Sequence, residues 1–310
     1  MKHETAGDPM TGLKWTRKAT RKIAKALRPL GIRVCANTVG RLLKQMRYSL
    51  RVNRKCLESG RRTPPDPKRR NRQFGHIRKV RERFADAGQP IVSVDTKKKE
   101  LIGNFKNPGR AWAQAPRPVY DHDFRSDASG ISVPYGLFDP QHNRGCVFVG
   151  MSHDTPEFAV ECIGRWWKKE GAVQYPHATE LLILADAGGS NSPRSTMWKW
   201  GLQHHLCTPF GLTVTVCHYP PGASKWNPIE HRLFSEISKN WAGQPLVSFD
   251  KMLNYIRTTR TESGLRVTAH LVRKRYEQGQ TISPHLMRQL ALSQHDTLPE
   301  WNYTLTPAPM

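Results

Sequence analysis

Residues 214–241 read VTVCHYPPGASKWNPIEHRLFSEISKNW, and they contain an apolar run, a Pro-Pro-Gly turn and the start of a helix in direct succession. Asn227 is a good residue to precede a helix, Pro228 suits its first position, and Glu230 completes a capping-box pattern. Taken alone, this pattern predicts that Glu230 is a capping residue of a surface helix.

Glu230 also shares the apolar face of that helix. Helical spacing brings four apolar residues to the same side, namely Leu233, Phe234, Ile237 and Trp241. A carboxylate that faces a core is costly unless it has a partner such as a metal ion. This second pattern favours a functional carboxylate over a cap.

Two further acids end apolar runs that are typical of strands: IVSVD ends at Asp95 and LLILAD ends at Asp186. Each acid alone is explained as a turn residue. Together with Glu230 they predict a site for two divalent cations, Mg²⁺ with Mn²⁺ as its substitute, because carboxylate oxygens suit such hard ions. Asp95 would bridge both ions, while Asp186 and Glu230 would each complete one side. His153-Asp154 lies at another strand end and is the alternative source of an acid.

Positive charge is concentrated at the start of the chain. The 310 residues contain 49 Lys and Arg against 25 Asp and Glu, a net charge of +24, and 21 of the basic but only four of the acidic residues lie within residues 1–75. This distribution predicts a polyanionic partner, first of all nucleic acid, although a membrane surface or ribosomal RNA would fit the charge alone.

Other features of the composition point to a cytoplasmic protein. The apolar runs are too short to span a membrane, and the basic N-terminal region lacks the apolar segment of a secretion signal. The six cysteines are scattered without a CxxC spacing, so we expect reduced thiols and neither a disulfide framework nor a zinc site.

Two short amphipathic helices are predicted within the basic region, one from residue 16 to about 27 and one from 36 or 37 to about 48. Joined by a Gly-containing turn, they are typical of a helix-turn-helix, whose second helix enters the major groove of DNA. Its candidate base-contacting residues are Asn37, Thr38 and Arg41, and its candidate phosphate-contacting residues are Lys44 and Arg47. A helical hairpin with a basic surface is the alternative. Residues 1–13 are expected to have no regular structure.

The rest of the chain predicts the order β(Asp95)-β-β-α-β(Asp186)-α-β-α(Glu230). We therefore expect an α/β domain with a mixed sheet, in the succession of the ribonuclease-H-like fold. Residues 1–72 would form a small all-α helix-turn-helix region with its linker, and residues 73–310 the catalytic domain. Three lysines that follow the first strand are candidates for holding phosphates beside the metal ions, namely Lys97, Lys98 and Lys99. A solvated basic loop is the alternative.

Several blocks of the sequence carry a family resemblance. VDTKKKELIGNFKN, HDFRSDASGISVPYGLFD, HDTPEFAVECIGRWW and LLILADAGGSN occur in this order before the stretch quoted above. Together with that stretch they resemble the Rhodopirellula-type DDE transposases, a bacterial insertion-sequence group related in catalytic design to the mariner superfamily. The resemblance extends over about residues 10–303. Members of the group usually carry more residues before the point where this chain begins, and a missing segment would either weaken binding of the element ends or leave this copy inactive.

The resemblance implies a DNA transposase with Asp95, Asp186 and Glu230 as its acid triad. Its partners would be double-stranded DNA, both the terminal inverted repeats of the element and the target, and a second copy of the chain in a homodimer or higher oligomer. It would act at the bacterial nucleoid. A non-catalytic helix-turn-helix protein, either an inactive relic or a repressor, is one alternative, and the acid triad disfavours it. A ribonuclease-H-like nuclease is another, and the helix-turn-helix disfavours that.

Overall fold

The computed structural model describes residues 5–7, 14–16, 18–50, 66–223 and 226–308, the first two ranges through their backbone alone. The chain divides into two compact units, Met1–Lys55 and Cys56–Met310. A boundary between functional domains at residue 72 stays a prediction, and residues 51–65 of the basic connector lie outside the described part. Of the helices in the described ranges, none combines the length and apolar character needed to cross a membrane.

The N-terminal unit contains a strand pair as well as two helices. Its elements are β1 (Thr5–Gly7), β2 (Lys14–Thr16), α1 (Thr20–Leu27), a 3₁₀ turn (Arg28–Leu30) and α2 (Ala36–Gln45). Strands β1 and β2 pair antiparallel, so the expectation of no regular structure in residues 1–13 is wrong for residues 5–7. A strand this short depends on its pairing partner and leaves no periodic signal in the sequence. Between the helices, Ile23, Ala24 and Val39 are buried together.

The C-terminal unit begins with one helix and four strands: α3 (Pro67–Asp86), β3 (Ile91–Thr96), β4 (Glu100–Ile102), β5 (Gly130–Asp139) and β6 (Arg144–Gly150), with a 3₁₀ turn at Arg125–Asp127. Helix α4 (Pro156–Trp166) continues through a π-helical turn (Trp167–Gly171) into α5 (Ala172–Gln174), and β7 (Glu180–Ala185) follows. A 3₁₀ turn (Gly189–Asn191) then precedes α6 (Thr196–Leu202), which continues through a second π-helical turn (Gln203–Cys207) into α7 (Thr208–Phe210) and β8 (Thr213–His218).

The last part of the unit begins with a third π-helical turn at Glu230–Phe234, and the remaining elements are α8 (Ser235–Asn240), α9 (Phe249–Arg257), β9 (Arg266–Val272), α10 (Pro284–Arg288), β10 (Leu292–Gln294) and β11 (Asn302–Leu305). The sequence pattern had left strands β9 to β11 unassigned.

The strands form one mixed sheet in the order β10-β11-β8-β7-β3-β5-β6-β9, with β4 paired to β5. Strands β3, β7 and β8 run parallel to one another, and β5 runs antiparallel to both β3 and β6. The five central strands, β6-β5-β3-β7-β8 with β5 reversed, give the ribonuclease-H-like arrangement, and the predicted fold is confirmed. Because parallel strands end at the same edge of a sheet, the ends of β3 and β7 lie side by side.

Helices cover both faces of the sheet. On one face α4 and α6 bury Phe158, Ile163 and Trp198 in the larger core cluster. On the other face the helix that begins near residue 228 buries Ile229 and Leu233. That helix lies very close to β5, because a Cβ atom on Gly136 would be 2.5 Å from Cε1 of the Phe234 ring. A glycine is therefore needed where the helix crosses the sheet.

Helix α3 is joined to the sheet through a buried polar network. The Gln73 side chain donates to the backbone carbonyl of His218 at 2.8 Å and to Oδ1 of Asn302 at 2.8 Å. His218 Nδ1 in turn donates to the backbone carbonyl of Asp186 at 2.9 Å. Complete burial lowers the pKa of His218 to about 4, so its ring is neutral at physiological pH and has a structural role.

Candidate active site

Asp95 and Asp186 lie next to each other at one edge of the sheet. Strand β3 pairs with β7 in a register that places Val94 opposite Ala185, and each acid is the next residue in its chain. Asp95 is only 8% exposed, and its Oδ1 accepts a hydrogen bond of 2.7 Å from the backbone N–H of Thr96. The parallel pairing of the two apolar runs thus brings Asp95 and Asp186 together, as the sequence predicts.

Glu230 reaches the same edge from the facing helix. Its carboxyl group is close enough for its charge to raise the pKa of both Asp95 and Asp186. The position fits the prediction that Glu230 shares the apolar face of its helix, because Leu233, Phe234, Ile237 and Trp241 are all buried. The three acids that stand 91 and 44 residues apart along the chain therefore meet at one place.

Asn227 holds the start of this helix against β3. The residue is fully buried, its Oδ1 accepts a hydrogen bond from the Ser93 hydroxyl, and its Nδ2 donates to the carbonyl of Val94 at 3.4 Å. The Asn227 side chain is thus bonded to the strand that carries Asp95. Sequence reasoning assigned Asn227 as a helix cap and missed this positioning role. The available signal was Ser93, a lone hydroxyl within the apolar run IVSVD.

Burial and mutual repulsion both act on the pKa values of the acids. Burial raises the pKa of Asp95 from 3.8 to about 8, and the negative charges of Asp186 and Glu230 add to the effect. Burial also raises the pKa of Asp186 to about 6, although hydrogen bonds from Asn191 and from the backbone of Gly188 oppose this rise. A divalent cation would remove the penalty, because it favours the charged form of every acid around it.

The chemistry of the three acids suits divalent cations. Two ions about 3.5–4 Å apart need one shared acid and one acid on each outer side. Asp95 has both other acids beside it and suits the shared position. The donors are all carboxylates, and Mg²⁺ and Mn²⁺ prefer such oxygen ligands to softer sulfur ligands.

A fourth acid, Asp154, lies at the same edge. Its Oδ1 accepts a hydrogen bond of 3.0 Å from the hydroxyl of Thr96, and its charge contributes to the raised pKa of Asp186. Its sequence neighbour His153 is bonded elsewhere, with Nδ1 3.1 Å from the carbonyl of Tyr276. Of the pair His153-Asp154, the structure therefore brings only the aspartate to the triad.

The three lysines after β3 have different surroundings. Lys97 is 8% exposed. Its Nζ is 3.2 Å from Glu100 Oε1 and 4.6 Å from the centre of the Trp241 ring. Burial lowers its pKa, and the Glu100 carboxylate opposes that effect. Lys98 and Lys99 are exposed, and Lys97 and Lys98 line a cleft that Glu230 also lines. Only Lys98 and Lys99 have the exposure expected of phosphate-holding residues.

In the N-terminal unit, Asn37, Arg41 and Lys44 are exposed on one face of α2, at spacings of four and three residues. Thr38 is partly buried, and its hydroxyl lies 3.2 Å from Cys35 Sγ at the start of the helix. Arg47 lies beyond the helix, which ends at Gln45 rather than near 48, and has a positive φ of 62°. The predicted end of α2 near residue 48 is therefore wrong, because the chain leaves the helix after Gln45 and turns at Arg47.

Solved structures of Mos1 transposase are similar to this chain. Among solved structures, the Mos1 transposase paired-end complex with left transposon end is 14% identical over 77% of this chain and 65% of that one, with a TM-score of 0.47. A pre-cleavage Mos1 transpososome is also 14% identical, over 77% of this chain and 66% of that one, with a TM-score of 0.46. The chain thus spans just under two thirds of the length of these Mos1 chains. No curated protein sequence matches the chain significantly.

A family profile gives the decisive match. The profile described as Rhodopirellula transposase DDE domain matches residues 1–307, which is nearly the whole chain and includes every acid of the site. This extent confirms the resemblance on which the sequence analysis relied. The protein belongs to the Rhodopirellula DDE transposase family.

Proposed function

We propose that the protein is the transposase of an insertion sequence, which binds the ends of its element and catalyses metal-dependent strand cleavage and strand transfer. The observation that carries this proposal is the meeting of Asp95, Asp186 and Glu230 at one edge of the sheet, with raised pKa values for both aspartates. Acids held together with raised pKa values are typical of functional sites, and this supports the proposal.

The acids would act by holding two divalent ions. When bound, these ions would supply activation of the attacking hydroxyl and stabilisation of the leaving oxygen in phosphoryl transfer. Asp95 would be shared between them, with Asp186 and Glu230 on the outer sides. Asn191 Nδ2, 3.4 Å from Asp186 Oδ1, and Asn227 at the helix start would orient two of these acids.

Two reactions would follow one another at this site. Water would attack a phosphodiester bond at the element end and leave a 3′-hydroxyl, which would then attack the target DNA. The exposed Lys98 and Lys99 would hold phosphates next to the acids. Such an enzyme would act on chromosomal DNA in the cytoplasm, and joining two element ends would require a homodimer or larger assembly.

The exposed face of α2 would contact the element ends. Asn37, Thr38 and Arg41 would read base edges in the major groove, while Lys44 and Arg47 would contact phosphates. The high density of Lys and Arg in the first 75 residues would attract the phosphate backbone regardless of sequence.

The test compares Asp186→Ala with Asp250→Asn on DNA that carries the inverted repeats flanking the gene. An acid that holds a catalytic ion contributes several kcal/mol to stabilisation of the transition state. Because about 1.36 kcal/mol corresponds to a factor of ten in rate, its loss should lower the rate of nicking with Mg²⁺ or Mn²⁺ at least about 1,000-fold. Asp250 is exposed on α9 and should be replaceable without effect. DNA binding should be unchanged in both variants.

Other outcomes would assign a different function. Unchanged nicking by Asp186→Ala would reject the acid assignment. Specific binding without any metal-dependent cleavage by the unmodified protein would indicate a non-catalytic DNA-binding protein. Cleavage without joining of the 3′ end to target DNA would indicate a nuclease.

A further inference from the structure

A second cluster of metal-ligating side chains lies away from the acid triad. Cys146 on β6, His270 on β9 and Glu170 in the π-helical turn after α4 have ligand atoms that all lie within 4.8 Å of one another. No other such trio of His, Cys, Asp and Glu occurs in the described ranges. We propose that Cys146, Glu170 and His270 bind a Zn²⁺ ion, with the fourth position of the ion open to water or another ligand.

The pairing of β6 with β9 builds the cluster. These parallel strands place Cys146 opposite Thr268 and Phe148 opposite His270, so the side chains of Cys146, Thr268 and His270 lie on one face of the sheet. Helix α4 packs on the same face, and the turn that follows it carries Glu170 over the strands. Three separate elements thus contribute one ligand each.

The distances within the cluster are compatible with three ligands of one ion. His270 Nε2 is 3.7 Å from Glu170 Oε1, which is too far for a hydrogen bond. Two ligand atoms of a tetrahedral Zn²⁺ ion are roughly 3.4 Å apart when each lies about 2.0–2.2 Å from the metal. The observed separation of Nε2 and Oε1 is close to that value. The same Nε2 atom is buried and has no hydrogen-bond partner. A bound cation would satisfy it.

The surroundings also suit a metal site. The hydroxyl of Thr268 donates to Glu170 Oε1 at 2.7 Å and orients that carboxylate, as outer partners of metal ligands commonly do. Cys146 is 1% exposed, whereas the side chains of Glu170 and His270 are 28% and 31% exposed. The ion would therefore enter from the side of the carboxylate and imidazole and reach a buried sulfur.

The ligand types select zinc rather than the ions expected at the triad. A thiolate, an imidazole and a carboxylate form a typical zinc donor set, whereas Mg²⁺ takes oxygen ligands. Binding displaces the proton of the Cys146 thiol, which passes to solvent. Strand β9 lies three strands from β3, about 14 Å at the usual strand spacing, and Asp95 faces the opposite side of the sheet. The two sites are distinct, and this proposal does not depend on the proposed transposase activity.

The test uses the metal-free full-length protein and Co²⁺ as the probe, because a thiolate ligand gives cobalt a charge-transfer absorption that oxygen ligands do not. We expect one such band per chain, displaced by an equivalent of Zn²⁺. Cys146→Ser should abolish the band and His270→Asn should weaken Zn²⁺ binding at least about 100-fold. Thr268→Val, which removes an outer partner, should weaken it about 10–100-fold. Cys207→Ser, in the same core cluster, and Asp186→Ala should both retain the band.

Two results would overturn the proposal. One is the absence of a thiolate-to-cobalt band in the unmodified protein, which would mean that the cluster is only a polar network. The other is a band that survives in both Cys146→Ser and His270→Asn. If the serine variant does not fold, as judged by circular dichroism, the His270 and Thr268 variants decide, because both residues are at the surface of the site.

Discussion

Replacing Asp95 by asparagine is expected to stabilise the metal-free protein at neutral and alkaline pH. Burial beside two other acids raises the pKa of Asp95 from 3.8 to about 8. The folded protein therefore retains a proton that the unfolded chain releases, and the free energy of unfolding falls as the pH rises through the range from about 4 to about 8. Asparagine has almost the same shape and no charge, so the variant avoids this loss.

The magnitude follows from the pKa values. A rise of about four in pKa corresponds to an upper limit of roughly 5–6 kcal/mol once the acid is fully ionised, because each unit is about 1.36 kcal/mol. Water entry and small movements of the neighbouring acids reduce this limit. We expect Asp95→Asn to gain on the order of 2–3 kcal/mol at pH 8 and almost nothing at pH 4.

Urea unfolding of the full-length protein, followed by tryptophan fluorescence at both pH values in the presence of a chelator, measures this difference. Asp250→Asn, which removes an exposed acid, is the control and should change stability little at either pH. With Mg²⁺ added, the unmodified protein should gain stability and Asp95→Asn should gain much less. A gain that is equal at pH 4 and pH 8, or a loss at pH 8, would refute the reasoning that Asp95 is under electrostatic strain.

Three further predictions concern the surroundings of the acids and the N-terminal unit. Gly136→Ala would place a Cβ 2.5 Å from the Phe234 ring, so we expect a loss of about 1–3 kcal/mol in urea unfolding and a roughly 100-fold loss of DNA nicking as the Glu230 helix is displaced. Asp154→Asn should lower nicking about 10–100-fold, less than loss of a triad acid, because Asp154 acts on its neighbours; an effect as large as that of Asp186→Ala would make it a direct ligand. Lys44→Ala should reduce the slope of log affinity against log salt concentration by about 0.9 in a binding titration, and an unchanged slope would exclude a phosphate contact.

The central strands and their terminal acids could be predicted because both depend on local sequence. The run LLILA is aliphatic throughout, as a strand covered on both faces requires, and all five residues of Leu181–Ala185 are fully buried. The succession of strands and helices then indicates a mixed sheet. The position of an acid at the end of such a run is fixed by the chain itself, so Asp95 and Asp186 could be located from the sequence.

Features that depend on distant partners could not be predicted. Asn-Pro-x-Glu is equally a capping pattern and a site pattern, and the bond that holds Asn227 against β3 is made with Ser93, a residue far away in the sequence. The cluster of Cys146, Glu170 and His270 is assembled from residues 24 and 100 positions apart, so no spacing motif marks it. The expectation that the cysteines have no role in metal binding relied on such motifs, and the proposed zinc site departs from it.

Gln73 on α3 is bonded to the His218 carbonyl, and the His218 ring is bonded to the Asp186 carbonyl. These two hydrogen bonds fix the position of α3 relative to the end of β7. The helix cannot slide along its axis unless at least one of these bonds breaks, and each polar group left buried without a partner would cost about 1–3 kcal/mol. A displacement of α3 along its axis would therefore also disturb the backbone at Asp186. A change of register within α3 would shift Gln73 away from these partners and so misalign the acid edge.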